Sequence, residues 1–317
     1  MIIRFGYVST AISLYEASPS RTMTFKRYSQ LNEKERKEKL HEITLTNIRN
    51  TLRTLYFNAA NEIQLYRMSS SIVPLATHPE VLWDFITPFR HEWKEIGDFV
   101  KSQKMRVSFH PNQFTLFTSP REEVTQNAVK DMEFHYNMLE AMGIAEQSYI
   151  NIHIGGAYGD KNSSLERFHQ NLKQLPTHVK KQMTLENDDK TYNTFETLSV
   201  CEKEQIPFVF DYHHHMANLC EEPYERLLPR IFDTWKHTNI RPKIHISSPK
   251  TEKEFRSHAD FLDFAFIEPL LRQLKTLQID VDFMIEAKKK DQALFKLLDD
   301  VSKVRGIKRI NSASIFL

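Results

Sequence analysis

Cysteine is nearly absent: the 317 residues contain two, Cys201 and Cys220, and they do not form a CxxC pair. That excludes a disulfide framework and a cysteine-held zinc, and it suits a reducing compartment. Any metal must then be held by His, Asp and Glu. No apolar run approaches the ~20 residues of a membrane-spanning helix. The N-terminus MIIRFGYVST has neither the basic start nor the small-residue cleavage site of a signal peptide. The expectation is a cytoplasmic protein with no membrane and no obligate protein partner. Net charge is only +2, so a polyanion would have to be held by local basic patches rather than by the field of the whole molecule. Glycine is scarce too, and three of the seven fall together in Gly155-Gly156-Ala157-Tyr158-Gly159. With 40% hydrophobic residues and no low-complexity run, one large core and one domain are expected.

What is present repeats. Short β-rich runs at Arg4–Val8, Ile63–Met68, Arg106–His110, Tyr149–Ile154, Met183–Glu186, Pro207–Asp211, Pro242–Ile246 and Asp282–Glu286 are each followed by a longer segment. Several of those segments, among them Glu33–Phe57, Thr125–Met142, Ser164–Leu175 and Ala259–Leu277, return apolar residues every three or four positions. Strands alternating with helices predict an α/β fold with a parallel sheet, and eight such units favour a closed (β/α)8 barrel over an open sheet. The barrel is expected over residues 1–300. Residues 301–317 carry no motif, and they are expected to be a disordered tail or a contact segment of unknown role.

Histidine is abundant, with 14 in the chain. His110, His153, Glu186, Asp211, His245 and Glu286 stand at the C-terminal ends of six consecutive predicted strands. Barrels of this kind build their sites at that rim. One such residue would be an ordinary hydrogen-bonded core group, but six in register read as a metal site. Further donors follow in Asp211-Tyr212-His213-His214-His215 and at His258. Histidine with carboxylate suits Mn2+, Zn2+ or Fe2+ better than Mg2+ or Ca2+. So many groups imply two or three ions, with Glu186 or Asp211 bridging.

Tyr7 in FGYVS, His78 in LATHP, His110 in SFHPNQF, His153 in IHIGGAYGDK, Glu186 in TLENDD, then FDYHHH, PKIHISS and MIEAKKKD together resemble the ultraviolet-damage endonuclease family over about residues 1–290. That family is similar in fold to the endonuclease IV type of apurinic-site nuclease. The resemblance implies an enzyme acting on damaged double-stranded DNA. It would cut immediately 5′ to pyrimidine dimers and 6-4 photoproducts, and at abasic sites, leaving 3′-hydroxyl and 5′-phosphate ends. Attack by metal-activated hydroxide is implied, typically with Mn2+, and with Zn2+, Co2+ or Mg2+ as alternatives.

Carried over by position, the resemblance makes Glu186, Asp211, His245 and Glu286 the central catalytic and metal-binding set. His110 and His153 share Glu186 around a second ion, and His214 with His258 holds a third. His78 is a further metal ligand, a phosphate contact, or a plain loop histidine. His213 and His215 should face away from His214 by alternation. Lys243 stands two residues before His245, so both face the same side of the strand. In the family this position resembles a carboxylated lysine, which would join the third ion and the catalytic set. The alternative is an unmodified lysine on the scissile phosphate.

For the DNA side, Gln113 and Phe114 are read as an amide and an aromatic plate that fill the gap in a distorted stack. The competing reading of Phe114 is a core aromatic. The family usually has Gln-Tyr here, and its members can carry an asparagine near residue 11, where this chain has Ala11. Tyr7 is the matching aromatic on the first strand. Gly155, Gly156 and Tyr158 either admit the DNA backbone or shape a turn. Lys288 begins a lysine run that meets phosphate or is a solvated face, and Arg21, Lys26, Arg27 and Arg67 extend a basic track. Two other functions fit the same barrel: a metal-dependent sugar isomerase with a closed polyol pocket, and a damage-binding protein without catalysis.

Overall fold

A computed structural model describes residues 1–317. Eight parallel strands are present: β1 (Ile2–Val8), β2 (Leu65–Arg67), β3 (Arg106–Phe109), β4 (Tyr149–His153), β5 (Met183–Glu186), β6 (Phe208–Asp211), β7 (Lys243–Ile246) and β8 (Val281–Ile285). Each pairs with the next, and β1 pairs with both β2 and β8, which closes the barrel. The strands are short and almost wholly buried, because side chains on one face fill the barrel and those on the other meet the helices. No helix is long and apolar enough to cross a membrane.

The helices start where local chemistry lets them. Asn32 and Glu35 form a reciprocal capping box on Glu33–Ala60, and Asn193 with Glu196 does the same for Thr194–Glu204. Asp160 caps Lys161–Asn171, so that helix begins three residues before its apolar pattern does. Asp263 caps Phe264–Leu277. The predicted start at Ala259 is therefore corrected: Ala259 N instead donates to Ser248 O at 2.9 Å and holds the loop after β7.

The tail forms a hairpin of β9 (Lys308–Asn311) and β10 (Ser314–Phe316). β10 runs antiparallel to β1 over Ile2–Arg4, while β2 pairs with β1 only over Gly6–Val8. The hairpin thus covers the half of the β1 edge that the three-residue β2 is too short to reach. Met1 and Leu317 exchange backbone hydrogen bonds at 3.1 and 3.0 Å.

A charged layer closes the lower barrel. Asp282 accepts both Arg4 Nε and Nη2 at 2.7 Å and Arg106 Nη1 at 2.8 Å, and its side chain is fully buried. The Arg106 guanidinium also lies over the Trp235 ring, 5.0 Å from its centroid.

Candidate metal centre

Alternation along the strands fixes what enters the barrel. Ser108 and His110, Asn151 and His153, Thr184 and Glu186, and Lys243 and His245 are pairs two residues apart, and Asp282 and Glu286 are four apart, so each pair shares a face. The upper members converge into three groups whose donor atoms lie within 4.8 Å of one another: His110, His153 and Glu186; Glu186, Asp211 and His214; and Glu186, His245 and Glu286. Glu186 belongs to all three. His110 Nε2 is 3.2 Å from Glu186 Oε2, and His214 Nδ1 is 3.4 Å from Glu186 Oε1.

Four atoms here are buried without a hydrogen-bond partner: His153 Nδ1, Glu186 Oε1, Asp211 Oδ2 and His245 Nδ1. His245 Nδ1 stands 3.1 Å from both Glu186 and Glu286, without the alignment of a hydrogen bond. Buried polar atoms are normally satisfied, so four orphans in one cluster of imidazoles and carboxylates fit divalent cations, and the donor set is of the His-and-carboxylate kind.

Protonation follows the same logic. Burial opposes charge on Glu186, but the facing His245 and His153 hold its carboxyl well below the usual range. Glu286 is likewise held well below that range against its own burial, by Arg67 and His245. Burial raises the Asp211 carboxyl, with His214 acting against it. His245 is lifted to about 9, burial being outweighed by Glu186 and Glu286. Burial depresses His153. Carboxylates and imidazoles buried side by side in this way offer donors that a divalent cation binds by displacing their protons.

Supporting residues complete the site, and two of them, Asn151 and Asn187, lie outside the sequence reading. Asn151 donates to Glu186 and accepts from Thr184 Oγ1 at 2.8 Å, which fixes one Glu186 oxygen and leaves the other toward His214. Asn187 exchanges hydrogen bonds with the Asp211 backbone at 2.9 and 2.8 Å. Asn151 stands two before His153, so strand period alone could have found it. Arg67 pairs with Glu286. Lys290 is the lysine of the run that enters the field of that pair, its amine depressed by burial and by Arg67 with Glu286 acting against them, whereas Lys288 is exposed.

Several expected residues lie elsewhere. His258 stands outside the three groups, its Nδ1 2.7 Å from Glu286 O and its ring 6.1 Å from that of His214. His214 joins Asp211 and Glu186 instead. His213 and His215 do turn away, but not by strand alternation: Asp211 caps a short helix over Tyr212–Ala217, which sends His213 to Ser247 and Phe255 and His215 to Thr194. His78 is in none of the groups and stacks on Phe25 at 4.0 Å. The Lys243 amine is buried and donates to Ser108 Oγ at 2.9 Å, its pKa pressed well below the ordinary lysine range by burial and then by Arg106.

Tyr7 is corrected. It is fully buried on the helix-facing side of β1, and its hydroxyl donates to Asn58 Oδ1 at 2.6 Å. Phe114 is no core aromatic: it is 71% exposed, and its loop is held by Asn112 Oδ1, which accepts from Phe114 N at 2.8 Å. Gln113 is exposed beside it. Gly155 has φ +122°, and a Cβ there would meet Thr118 Oγ1 at 2.6 Å, so backbone conformation and packing alone demand glycine. A Cβ on Gly156 would approach the Tyr158 ring at 3.3 Å, and Tyr158 itself is partly exposed. A surface cavity of about 760 Å³ between Tyr149, Lys180, Glu202 and Arg230 opens at the opposite, N-terminal end of the strands and takes no part in this site.

Residues 3–316 match the family profile described as UV-endonuclease UvdE. The chain is 60% identical over 315 residues to a UV DNA damage endonuclease of Bacillus cereus (strain B4264), covering 99% of each. A solved structure, described as the crystal structure of SacUVDE, superposes with a TM-score of 0.84 at 31% identity over 95% of this chain and 100% of that one. A xylose isomerase domain protein from Planctomyces limnophilus reaches 0.52 at 15% identity over 78% and 91% of the two chains, a likeness of fold alone.

Proposed function

The chain belongs to the UV-endonuclease UvdE family and is a DNA phosphodiester hydrolase; from that premise we propose that it nicks the backbone immediately 5′ to pyrimidine dimers and 6-4 photoproducts, and at abasic sites, leaving 3′-hydroxyl and 5′-phosphate ends. The observation that carries this reading is the convergence of three donor groups on Glu186 at a rim that also carries the exposed Gln113-Phe114 loop. His110 and His153, Asp211 and His214, and His245 and Glu286 would hold two or three divalent ions, with Glu186 shared. Such ions supply Lewis-acid charge to a phosphate and lower the pKa of water.

The chain's own residues do the rest. Asn151 holds Glu186 in one orientation. Arg67 and Lys290 place positive charge beside Glu286, where a phosphate oxygen would offset it. Lys243 is either a neutral amine that adds CO2 to become an N-carboxylate ligand, as in the resembled family, or a phosphate contact. A carbamate signal in 13C NMR after bicarbonate exchange decides between them. Gln113 and Phe114 would enter the stack beside the lesion.

The deciding experiment is incubation with a labelled duplex carrying one defined dimer, with and without Mn2+. A single Mn2+-dependent nick 5′ to the dimer is expected, and an uncut duplex would end the proposal. For the wedge, Gln113→Ala and Phe114→Ala are expected to lower discrimination for damaged over intact duplex about tenfold, the scale of one base–aromatic stack. Metal content should not change. Parallel loss of metal would instead make the pair structural support for His110.

A further inference from the structure

Exposed apolar side chains are not spread evenly over this barrel. The four most exposed large ones are Leu82 at 93%, Tyr15 at 83%, Phe114 at 71% and Leu219 at 63%. All four lie on connections leaving the C-terminal ends of strands, those after β2, β1, β3 and β6. Scattered exposed hydrophobic residues are ordinary. The four most exposed at one end of the molecule, the end that carries the metal groups, are not.

Leu82 is also held rather than loose. Val81 on one side is buried with Met23, Leu40 and Ile43 in a small separate core, against which Phe25, Tyr28, Leu75 and Trp83 pack. Trp83 on the other side meets Phe85 and Phe89 edge-on at 6.3 and 6.4 Å. Asp84 Oδ1 accepts from Ile86 N and Thr87 N, both at 2.9 Å. A loop pinned on both sides cannot fold Leu82 back onto the protein, so the side chain stays in water until a partner covers it.

The position indicates which partner. β2 and β3 are neighbours, Tyr66 opposite Val107, so Leu82 and Phe114 rise from adjacent loops. Arg21, Lys26 and Arg27 are exposed on the segment that packs into the same small core, and cations around an apolar tip suit a polyanion with apolar faces. A dimer spans two bases, so its departure from the stack leaves a gap two bases deep, of which one plate fills about half.

We propose that Leu82 is a second apolar wedge, which together with Phe114 on the neighbouring loop fills the opened base stack and so helps to select distorted duplex. The proposal rests on the DNA-nicking reading above.

The test compares the full-length protein with Leu82→Ala, Leu82→Asp and Leu82→Met under single-turnover conditions. One substrate is a fully paired duplex with one defined dimer. The other carries the same dimer in a permanently mispaired bubble. A 2-aminopurine beside the dimer reports unstacking. Leu82→Ala and Leu82→Asp should nick the paired substrate about tenfold more slowly with a reduced 2-aminopurine signal, yet cut the bubble near the wild-type rate. Leu82→Met should behave as wild type, and metal content should be unchanged. Wild-type rates on the paired duplex in both variants, or equal losses on both substrates, would overturn the wedge. So would a wild-type dimer that Leu82→Asp converts to an equally active monomer, since Leu82 would then cover a second copy of the chain. Failure of the wild-type protein to nick either substrate is a separate result, which brings down the functional reading itself.

Discussion

Glu186→Ala is expected to reduce nicking by about 10³-fold or more, equivalent to about 4 kcal/mol of transition-state stabilisation. The reason is geometric: Glu186 is shared by all three donor groups, so its loss weakens each of them at once, whereas loss of His110 or His214 weakens one. The fold should survive, because a buried carboxylate surrounded by histidines carries its own desolvation cost and is no part of the apolar core. Glu186→Gln keeps the shape without the charge and should lose activity comparably. Near-normal turnover of Glu186→Ala at saturating Mn2+, with native circular dichroism, would remove Glu186 from the centre of the site.

The largest stability effect is expected at the lower end of the same barrel. Asp282→Asn should cost about 3–5 kcal/mol, the range for stripping one partner from a buried ion pair. Asp282 is the single carboxylate hydrogen-bonded to both the Arg4 and Arg106 guanidiniums, and Arg106 Nη2 is already buried without a partner. Urea unfolding of the metal-free protein measures the loss. Adding Arg106→Met to Asp282→Asn should recover part of it, since the penalty lies mainly in the orphaned charge rather than in a missing contact. A loss below about 1 kcal/mol would place the triad in the class of pairs whose attraction barely exceeds their desolvation.

Much of the site could be read before the fold was known, because a parallel barrel converts sequence period directly into position. His153, Glu186 and Asp211 are the last residues of β4, β5 and β6, and His110 and Glu286 follow β3 and β8 directly. Strand period also placed Lys243 and His245 on one face. The same rule corrects Tyr7, which motif resemblance set beside the DNA. Arg4 and Tyr7 are three apart and so face opposite sides of β1; Arg4 enters the barrel to reach Asp282, which leaves Tyr7 against the helix that carries Asn58.

What the sequence determined by itself is the repeating βα pattern, the closed barrel, the absence of cysteine ligands and the set of histidines and carboxylates at the strand ends, because each follows from local period and residue chemistry. What only the tertiary structure decided is which of those donors share an atom's space. Glu186 at the junction of three groups, His258 outside them, and Asp282 between Arg4 and Arg106 depend on barrel closure, which brings together residues from strands far apart in the chain. The hairpin over residues 308–316 was decided there too, since nothing local to it shows that β2 is too short to cover the whole edge of β1. Leu82 is the same case: its neighbours Val81 and Trp83 read as an ordinary apolar run, and only the small core beneath them determines that the residue between is left in water.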